Sequence, residues 1–312
     1  MPRTGAPAGT PVRALPATRQ MLGGIAILYL SMWCLTTLDA SGKWVMAQGA
    51  PLALLGWMRY VVHVALVAML VIPLRGLAIL KPQQPLDQIA RGLVMLGATL
   101  MFFTTLSYLP QAEATAIVFL APLLVLAAAP WLLKEKPRLS RWVAAGVGFC
   151  GVLIVIRPGS GLPLAGVLCG LLTAMLFAGQ FIATRRLAGE NPFTTLLWSG
   201  GVGALGMTLI LPFTLPATLP AIAQLGVVEW LVLLSTGLTG GIGHLLQIQA
   251  YRNAPASMLA PFTYLQITCA ATMGWLIWSH FPGPLTWLGI AVTCGSGVSI
   301  ALLEWRRQRR PA

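Results

Sequence analysis

Charge is scarce in this chain, and negative charge is scarcest. Of 312 residues, seven are acidic and only 9% are Asp, Glu, Lys or Arg, against about a quarter in ordinary soluble domains. The acids are Asp39, Asp87, Glu113, Glu135, Glu190, Glu229 and Glu304, so long stretches hold no carboxylate. With 57% hydrophobic residues and a mean hydropathy of +0.81, a water-soluble domain is excluded. Cysteine is present five times, at Cys34, Cys150, Cys169, Cys269 and Cys294, far apart, in apolar runs and without a CxxC. That pattern gives neither a disulfide framework nor a metal site, and each thiol reads as a small apolar packing residue. His63, His244 and His280 fall in different segments. No HExxH, paired-carboxylate or Ser/His constellation occurs, and no GxxxxGK[ST] run that would bind ATP. Neither catalytic residues nor a cofactor are expected.

The positive charge is placed rather than merely abundant. A net charge of +13 in a soluble protein would suggest nucleic acid. Here the basic residues sit in short clusters between apolar runs, as in the cytoplasmic loops of membrane proteins, and no nucleic-acid partner is expected.

A spanning helix needs about 20 apolar residues, because each residue rises 1.5 Å through a core of about 30 Å. Ten segments meet this need, near 21–39, 52–73, 88–108, 112–133, 141–157, 162–185, 193–213, 228–250, 255–279 and 285–304. The connections are short, such as Gly49-Ala50-Pro51 and Phe281-Pro282-Gly283-Pro284. Residues 1–20, rich in Pro, Ala and Thr, read as a disordered tail, and 306–312 as a basic one. With a cytoplasmic N-terminus, seventeen of the twenty Lys and Arg fall on the cytoplasmic side, Arg91 among them. Lys43 and Arg157 lie opposite and Arg59 lies within a span. Both termini are therefore expected in the cytoplasm, with the chain in the inner (plasma) membrane.

The sequence compares with itself at an offset of about 142 to 146 residues. Ala112-Glu113-Ala114-Thr115 aligns with Ala254-Pro255-Ala256-Ser257, Trp131-Leu132-Leu133 with Trp275-Leu276-Ile277, and Arg141-Trp142 with Thr286-Trp287. Five spans is an odd number, so the second copy enters the membrane from the opposite side. The expected fold is an all-α integral membrane protein of ten transmembrane helices in two inverted five-helix repeats, 21–158 and 162–305. Secondary transporters use this plan to rock two halves about a central site. Pro122 and Pro261 lie inside the fourth span of each half, where a missing N–H bends a helix and frees a carbonyl. Kinking prolines are also frequent in membrane helices without any such role.

Several of these residues carry a resemblance. Leu109-Pro110-Gln111-Ala112-Glu113-Ala114-Thr115-Ala116 with Pro122, then Lys134-Glu135-Lys136, Arg141-Trp142 and the run Gly146-Val147-Gly148-Phe149-Cys150-Gly151-Val152 are matched in the second half by Ala254-Pro255-Ala256-Ser257, Pro261, Tyr264 and Gly295-Ser296-Gly297-Val298. Over about residues 21–305 the chain resembles the EamA-type transporters of the drug/metabolite transporter superfamily. One departure is Ser279-His280, where the family has Gly-Glu after the ninth span. The resemblance implies exporters or importers of amino acids, nucleosides, vitamins or lipophilic cations, and leaves the cargo open. The rival readings are a polytopic intramembrane enzyme, lacking here a catalytic constellation, and a channel, which would not require an inverted repeat.

Charge inside the membrane costs at least about 2.5–3.5 kcal/mol, so it calls for a partner or a function. Arg59 sits about 10 Å into the second span, with His63 one turn on. Asp39 and Lys43 stand at the outer end of the first span and Glu113 at the start of the fourth. Two acids and two bases in the outer half are expected to form a polar cluster, serving as a gate, a substrate-carboxylate clamp or a structural ion-pair network, with Asp39 or Glu113 as a protonation site. In the second half the candidates are His244 and Gln247 in span eight and Tyr264 and Gln266 in span nine. Tyr264 is favoured, since an aromatic hydroxyl both stacks and hydrogen bonds, whereas a lone His244 more often packs helices. Phe102, Trp33, Trp57 and Trp198 are candidates for an aromatic cavity wall, and Trp44, Trp230 and Trp305 for interfacial anchors. Gly146, Cys150, Gly289, Thr293 and Gly297 allow close helix approach, within the bundle or at a homodimer seam. The partners expected are a small-molecule substrate, the lipid bilayer and a second copy of the chain.

Overall fold

A computed structural model describes residues 18–132, 139–157, 162–187, 189–254, 259 and 262–308. Lys134, Glu135, Lys136, Pro255, Ala256, Ser257 and the second kinking proline, Pro261, lie outside the described residues.

The described residues form eleven α-helices and no strand. They are α1 (Thr18–Ala47), α2 (Leu52–Arg75), α3 (Pro85–Tyr108), α4 (Gln111–Val118), α5 (Ala121–Leu132), α6 (Leu139–Ile156), α7 (Leu164–Arg186), α8 (Pro192–Gln224), α9 (Val227–Asn253), α10 (Leu265–Trp278) and α11 (Pro284–Gln308). Six of them, α1, α2, α3, α7, α8 and α9, are long and apolar enough to cross a membrane. The remaining apolar stretches, Gln111–Val125, Trp142–Ile156, Leu265–Trp278 and Pro284–Ile300, are shorter. A helix satisfies its backbone internally, which is what lipid demands. Prolines set several starts: Pro51, Pro110 and Pro163 stand just before α2, α4 and α7, where no N–H is needed. Gly49 and Gly76, at φ +95° and +75°, turn the chain at both ends of α2 where a Cβ would be strained.

Helix bounds depart from the sequence expectation in the ninth span, where α10 begins only at Leu265 after a turn at Tyr264, and in three further places. The fourth span is not one helix: α4 stops at Val118, Phe119 and Leu120 form a turn, and α5 restarts at Ala121. Pro122 thus lies in the first turn of a new helix, where its missing donor is tolerated, and the Leu123 and Leu124 amides both donate to the Leu120 carbonyl at 3.0 Å. Second, α1 runs to Ala47, so Asp39 lies about two turns inside the end of the helix and Lys43 about one turn inside it. Third, α8 continues well past 213, through Pro212, Pro216 and Pro220. These prolines recur every fourth residue, so the donors they lack belong to a single i to i+4 row and the other rows of the helix stay intact.

The helices pack in a regular scheme. α1 lies along α9 and α3 along α7; α2 packs on α8 and α9, and α3 on α8; α6 lies along α11 and α4 against α10; α1 touches α10, and α5 touches α7. Outward faces carry exposed apolar side chains such as Met69, Leu205, Phe213 and Leu231, a surface too apolar to be that of an ordinary water-soluble domain. Inside, the largest cluster joins Leu38, Phe102, Phe103, Leu106, Ile117, Leu123 and Val152 across α1, α3, α4, α5 and α6.

Candidate functional site

Two polar clusters lie within the bundle. The first is built on α2 and α3. Arg59 donates from Nη1 to the Thr99 hydroxyl at 2.9 Å. That hydroxyl is 2.7 Å from the Tyr60 hydroxyl, which in turn donates to the Met95 carbonyl at 3.2 Å. Donors therefore run in one direction, from Arg59 through Thr99 and Tyr60 to Met95, and each bond polarises the next. The guanidinium also lies 5.5 Å from the Tyr60 ring centre and 5.6 Å from that of Phe103, within cation–π range. Asp39 acts on Arg59 electrostatically, but no ion pair joins them among the described residues.

One turn beyond Arg59, His63 meets His244 of α9 edge to face, ring centres 5.7 Å apart. One glycine makes room for this ring: a Cβ on Gly200 would fall 2.8 Å from His63 Cδ2, whereas Gly241 of α9 makes room for Leu66, whose Cδ2 would lie 2.8 Å from a Cβ there. Both Nε2 atoms are buried without a hydrogen-bond partner. Arg59, Arg91 and His63 all act electrostatically on His244, and Gln247 one turn along α9 faces the same ring.

Arg91, counted from the sequence among the cytoplasmic loop charges, instead lies in the second turn of α3 and reaches into the bundle. Its Nε donates to the Thr184 hydroxyl of α7 at 2.8 Å and its Nη1 to the Ser199 hydroxyl of α8. One turn earlier, Gln88 is fully buried and donates to Thr195 at 2.9 Å, while its Oε1 has no partner. Gln180 of α7, a turn before Thr184, likewise buries an unpartnered Oε1. The structure thus brings together Arg59, His63, His244 and Gln247 from the expected set and adds Arg91, Gln88, Gln180, Thr99 and Tyr60. A sequence signal existed for Gln88 and Arg91: one turn apart, they follow the helix-starting Pro85 by only three and six residues.

The second cluster lies where α1 and the start of α4 meet the segment joining α10 to α11. Lys43 donates to the Leu109 carbonyl at the end of α3 and lies 5.3 Å from the Trp278 ring centre. The buried Glu113 carboxylate is 3.4 Å from His280 Nε2 and 3.4 Å from the Thr286 hydroxyl. Arg157 donates to that same hydroxyl at 3.1 Å. The expected cluster of Asp39, Lys43, Arg59 and Glu113 is therefore divided: Arg59 belongs to the first group, Lys43 and Glu113 to the second. His280 stands where the family pattern has Glu, and it is the residue that meets Glu113.

The remaining candidates are spread out. Phe102 packs edge-on against Phe177 of α7 at 6.3 Å, one turn from Thr99. Tyr264 is wedged between Phe119, at 5.2 Å, and Gly297 of α11, where a Cβ would overlap its hydroxyl. Gln266, in the first turn of α10, joins neither cluster. Trp57 donates to Thr208 and Trp198 to the Leu80 carbonyl, each at 3.0 Å.

Six helices long and apolar enough to cross a membrane, with polar groups buried between them, define a multi-pass membrane protein, and comparison with known proteins says of which family. The EamA-like transporter family matches the chain twice, over residues 22–157 and 164–302. The chain belongs to that family. It is 29% identical to a riboflavin transporter of Rhizobium johnstonii, over 76% of this chain and 77% of the relative. It is 28% identical to a pseudopaline exporter of Pseudomonas aeruginosa, over 66% and 72%. An S-adenosylmethionine uptake transporter of Rickettsia bellii is 26% identical, over 68% and 71%. A solved crystal structure shares the fold, with a TM-score of 0.62 at 19% identity over 93% of this chain and 99% of that one.

Proposed function

We propose that this protein is a secondary carrier that moves a small metabolite or drug-like solute across the inner (plasma) membrane by alternating access. In this reading ten spans form two inverted five-helix repeats, residues 21–158 and 162–305, with both termini cytoplasmic. The observation that carries it is the packing scheme. Replacing each span by the one five later turns the pair α1–α9 into α7–α3, the pair α2–α9 into α8–α3, and the pair α5–α7 into α10–α1. The pairs α2–α8, α4–α10 and α6–α11 map onto themselves, as helices beside a two-fold axis in the membrane plane do. The twofold family match supports the same division.

Arg59, His63, His244, Gln247 and Arg91 line the substrate side of the interface between halves, and Lys43, Glu113 and His280 belong to a gate at the end turned outward. The test is uptake and counterflow in proteoliposomes loaded with a metabolite panel, with and without an imposed pH gradient. Saturable flux that is accelerated by solute on the opposite side is the carrier signature; linear flux without acceleration would identify a pore. A dependence on the pH gradient would make the coupling ion a proton. Orientation is read by impermeant thiol labelling of Arg306→Cys and Phe281→Cys in a background without the native cysteines. Labelling of position 306 from the cytoplasm and of 281 from outside is expected, and the reverse would overturn the topology.

A further inference from the structure

The first cluster has an imbalance of sign. Two guanidinium groups, Arg59 and Arg91, are held by neutral hydroxyls, those of Thr99, Thr184 and Ser199. Among the described residues no carboxylate is ion-paired with either, and Asp39 acts on Arg59 electrostatically without a direct contact. Charge inside a membrane protein is normally compensated nearby, because an unpaired ion in low dielectric loses its hydration without replacement. Hydroxyl oxygens satisfy some guanidinium donors but supply no opposite charge. Around these cations lie buried polar atoms with spare capacity. His63, only 4% exposed, and His244 each present an unpartnered Nε2, and Gln88 and Gln180 each present an unpartnered side-chain oxygen. A ring nitrogen carrying the proton is a donor, so the two histidines add hydrogen-bonding capacity of the kind an oxyanion accepts. A cationic solute would meet two fixed positive charges here, whereas an oxyanion would replace the missing counter-charge.

We propose that the cargo carries an oxyanion, a carboxylate or phosphate group, which is received in turn by Arg91 of α3 and Arg59 of α2, with His63 and His244 as further hydrogen-bonding partners on the way. This inference rests on the carrier reading and assigns its substrate class. Arg59 lies 16 residues before the end of α2 and Arg91 six after the start of α3. The two therefore stand at different depths, and an anion passing from one to the other exchanges one cation for the next as the halves rock.

The experiment uses the full-length protein in detergent and thermal unfolding as the readout of binding. Probes are succinate, citrate and glycerol 3-phosphate, with uncharged succinamide and the cation putrescine as controls, all at constant ionic strength. At least one anion is expected to raise the midpoint temperature saturably, with neither control doing so. Arg91→Gln should weaken that anion's apparent affinity at least about tenfold, and Arg91→Lys should restore part of it. Circular dichroism of each variant checks that it is folded, and Arg59→Gln serves as the second variant should Arg91→Gln not fold. No shift with any anion, shifts with the controls alone, or undiminished anion binding in the Gln variant would each overturn the proposal. The carrier reading fails separately: an anion that binds but shows no counterflow leaves the site assignment standing, and counterflow of succinamide or putrescine alone leaves the carrier without the anion site.

Discussion

At the residue scale, the first cluster depends on glycine as much as on charge. His63 reaches His244 because α8 presents Gly200 to its ring. An alanine there would place a methyl 2.8 Å from His63 Cδ2 and 2.7 Å from Val64 Cγ2. Gly200→Ala is expected to destabilise the protein by about 1–3 kcal/mol, the usual range for overpacking, and to reduce transport more than expression. Uptake normalised to the amount of protein in the membrane, alongside thermal unfolding, measures both effects. Thr99 is the other hinge of the cluster, since one hydroxyl accepts from Arg59 while bonding Tyr60. Thr99→Val keeps the shape and removes the acceptor, leaving a guanidinium donor and the Tyr60 oxygen each one partner short. A loss of about 1–3 kcal/mol in stability is expected, and Thr99→Ser should recover most of it. Equal melting temperatures for the Val and Ser variants would show that the hydroxyl contributes nothing.

At the element scale, the seam between α6 and α11 shows what the small residues do. Gly151 and Gly289 face each other so closely that a Cβ on Gly289 would lie 2.6 Å from the Gly151 carbonyl. Across the seam Thr293 donates to the Gly148 carbonyl at 3.3 Å and Ser296 to the Ala144 carbonyl at 2.6 Å, so the seam is sealed by hydroxyls on backbone. Of the small-residue series expected to allow close approach, Gly289 and Thr293 are therefore spent inside the bundle, while Gly146 has nothing within 4 Å. Gly289→Leu should separate the two helices and lower the melting temperature by well over 5 °C; Gly146→Leu, identical in chemistry, should leave it unchanged. The same elements mark how far sequence reading reaches. The apolar segments were legible because lipid imposes composition on every span, and the residues buried in α2 and α9 were legible because polar groups stand out there. The break before Pro122 and the persistence of α8 through three prolines were not, because a proline's effect depends on whether it begins a turn or shares a hydrogen-bond row with other prolines. Arg91 was missed as a site residue for a related reason: so near a helix start its charge reads only as a mark of sidedness until neighbouring hydroxyls are seen to receive it.

At the scale of the whole molecule, the second cluster fastens the two proposed halves together at one end. Glu113 comes from the first half, and its partners His280 and Thr286 come from the second, with Arg157 bonded to Thr286. A carrier working by alternating access must break such contacts once in each cycle, so weakening them should favour the state open at that end. The carboxylate's contacts are long, at 3.4 Å, and the His280 side chain is 44% exposed, so each contributes little and solvent screens the pair further. A shift of a few-fold in population follows, rather than a full switch. Glu113→Gln keeps the size of the side chain and removes its charge. Thr36, only 1% exposed, lies beneath this end, with its carbonyl accepting from Gln111 at 3.0 Å, so a cysteine at position 36 reports when the end opens. In a background lacking the five native cysteines, Thr36→Cys should react with an impermeant maleimide a few-fold faster when Glu113→Gln is added, and saturating substrate should alter that rate. An unchanged rate would mean that Glu113 and its partners only brace the fold; a slower one would mean that the cluster holds the end open.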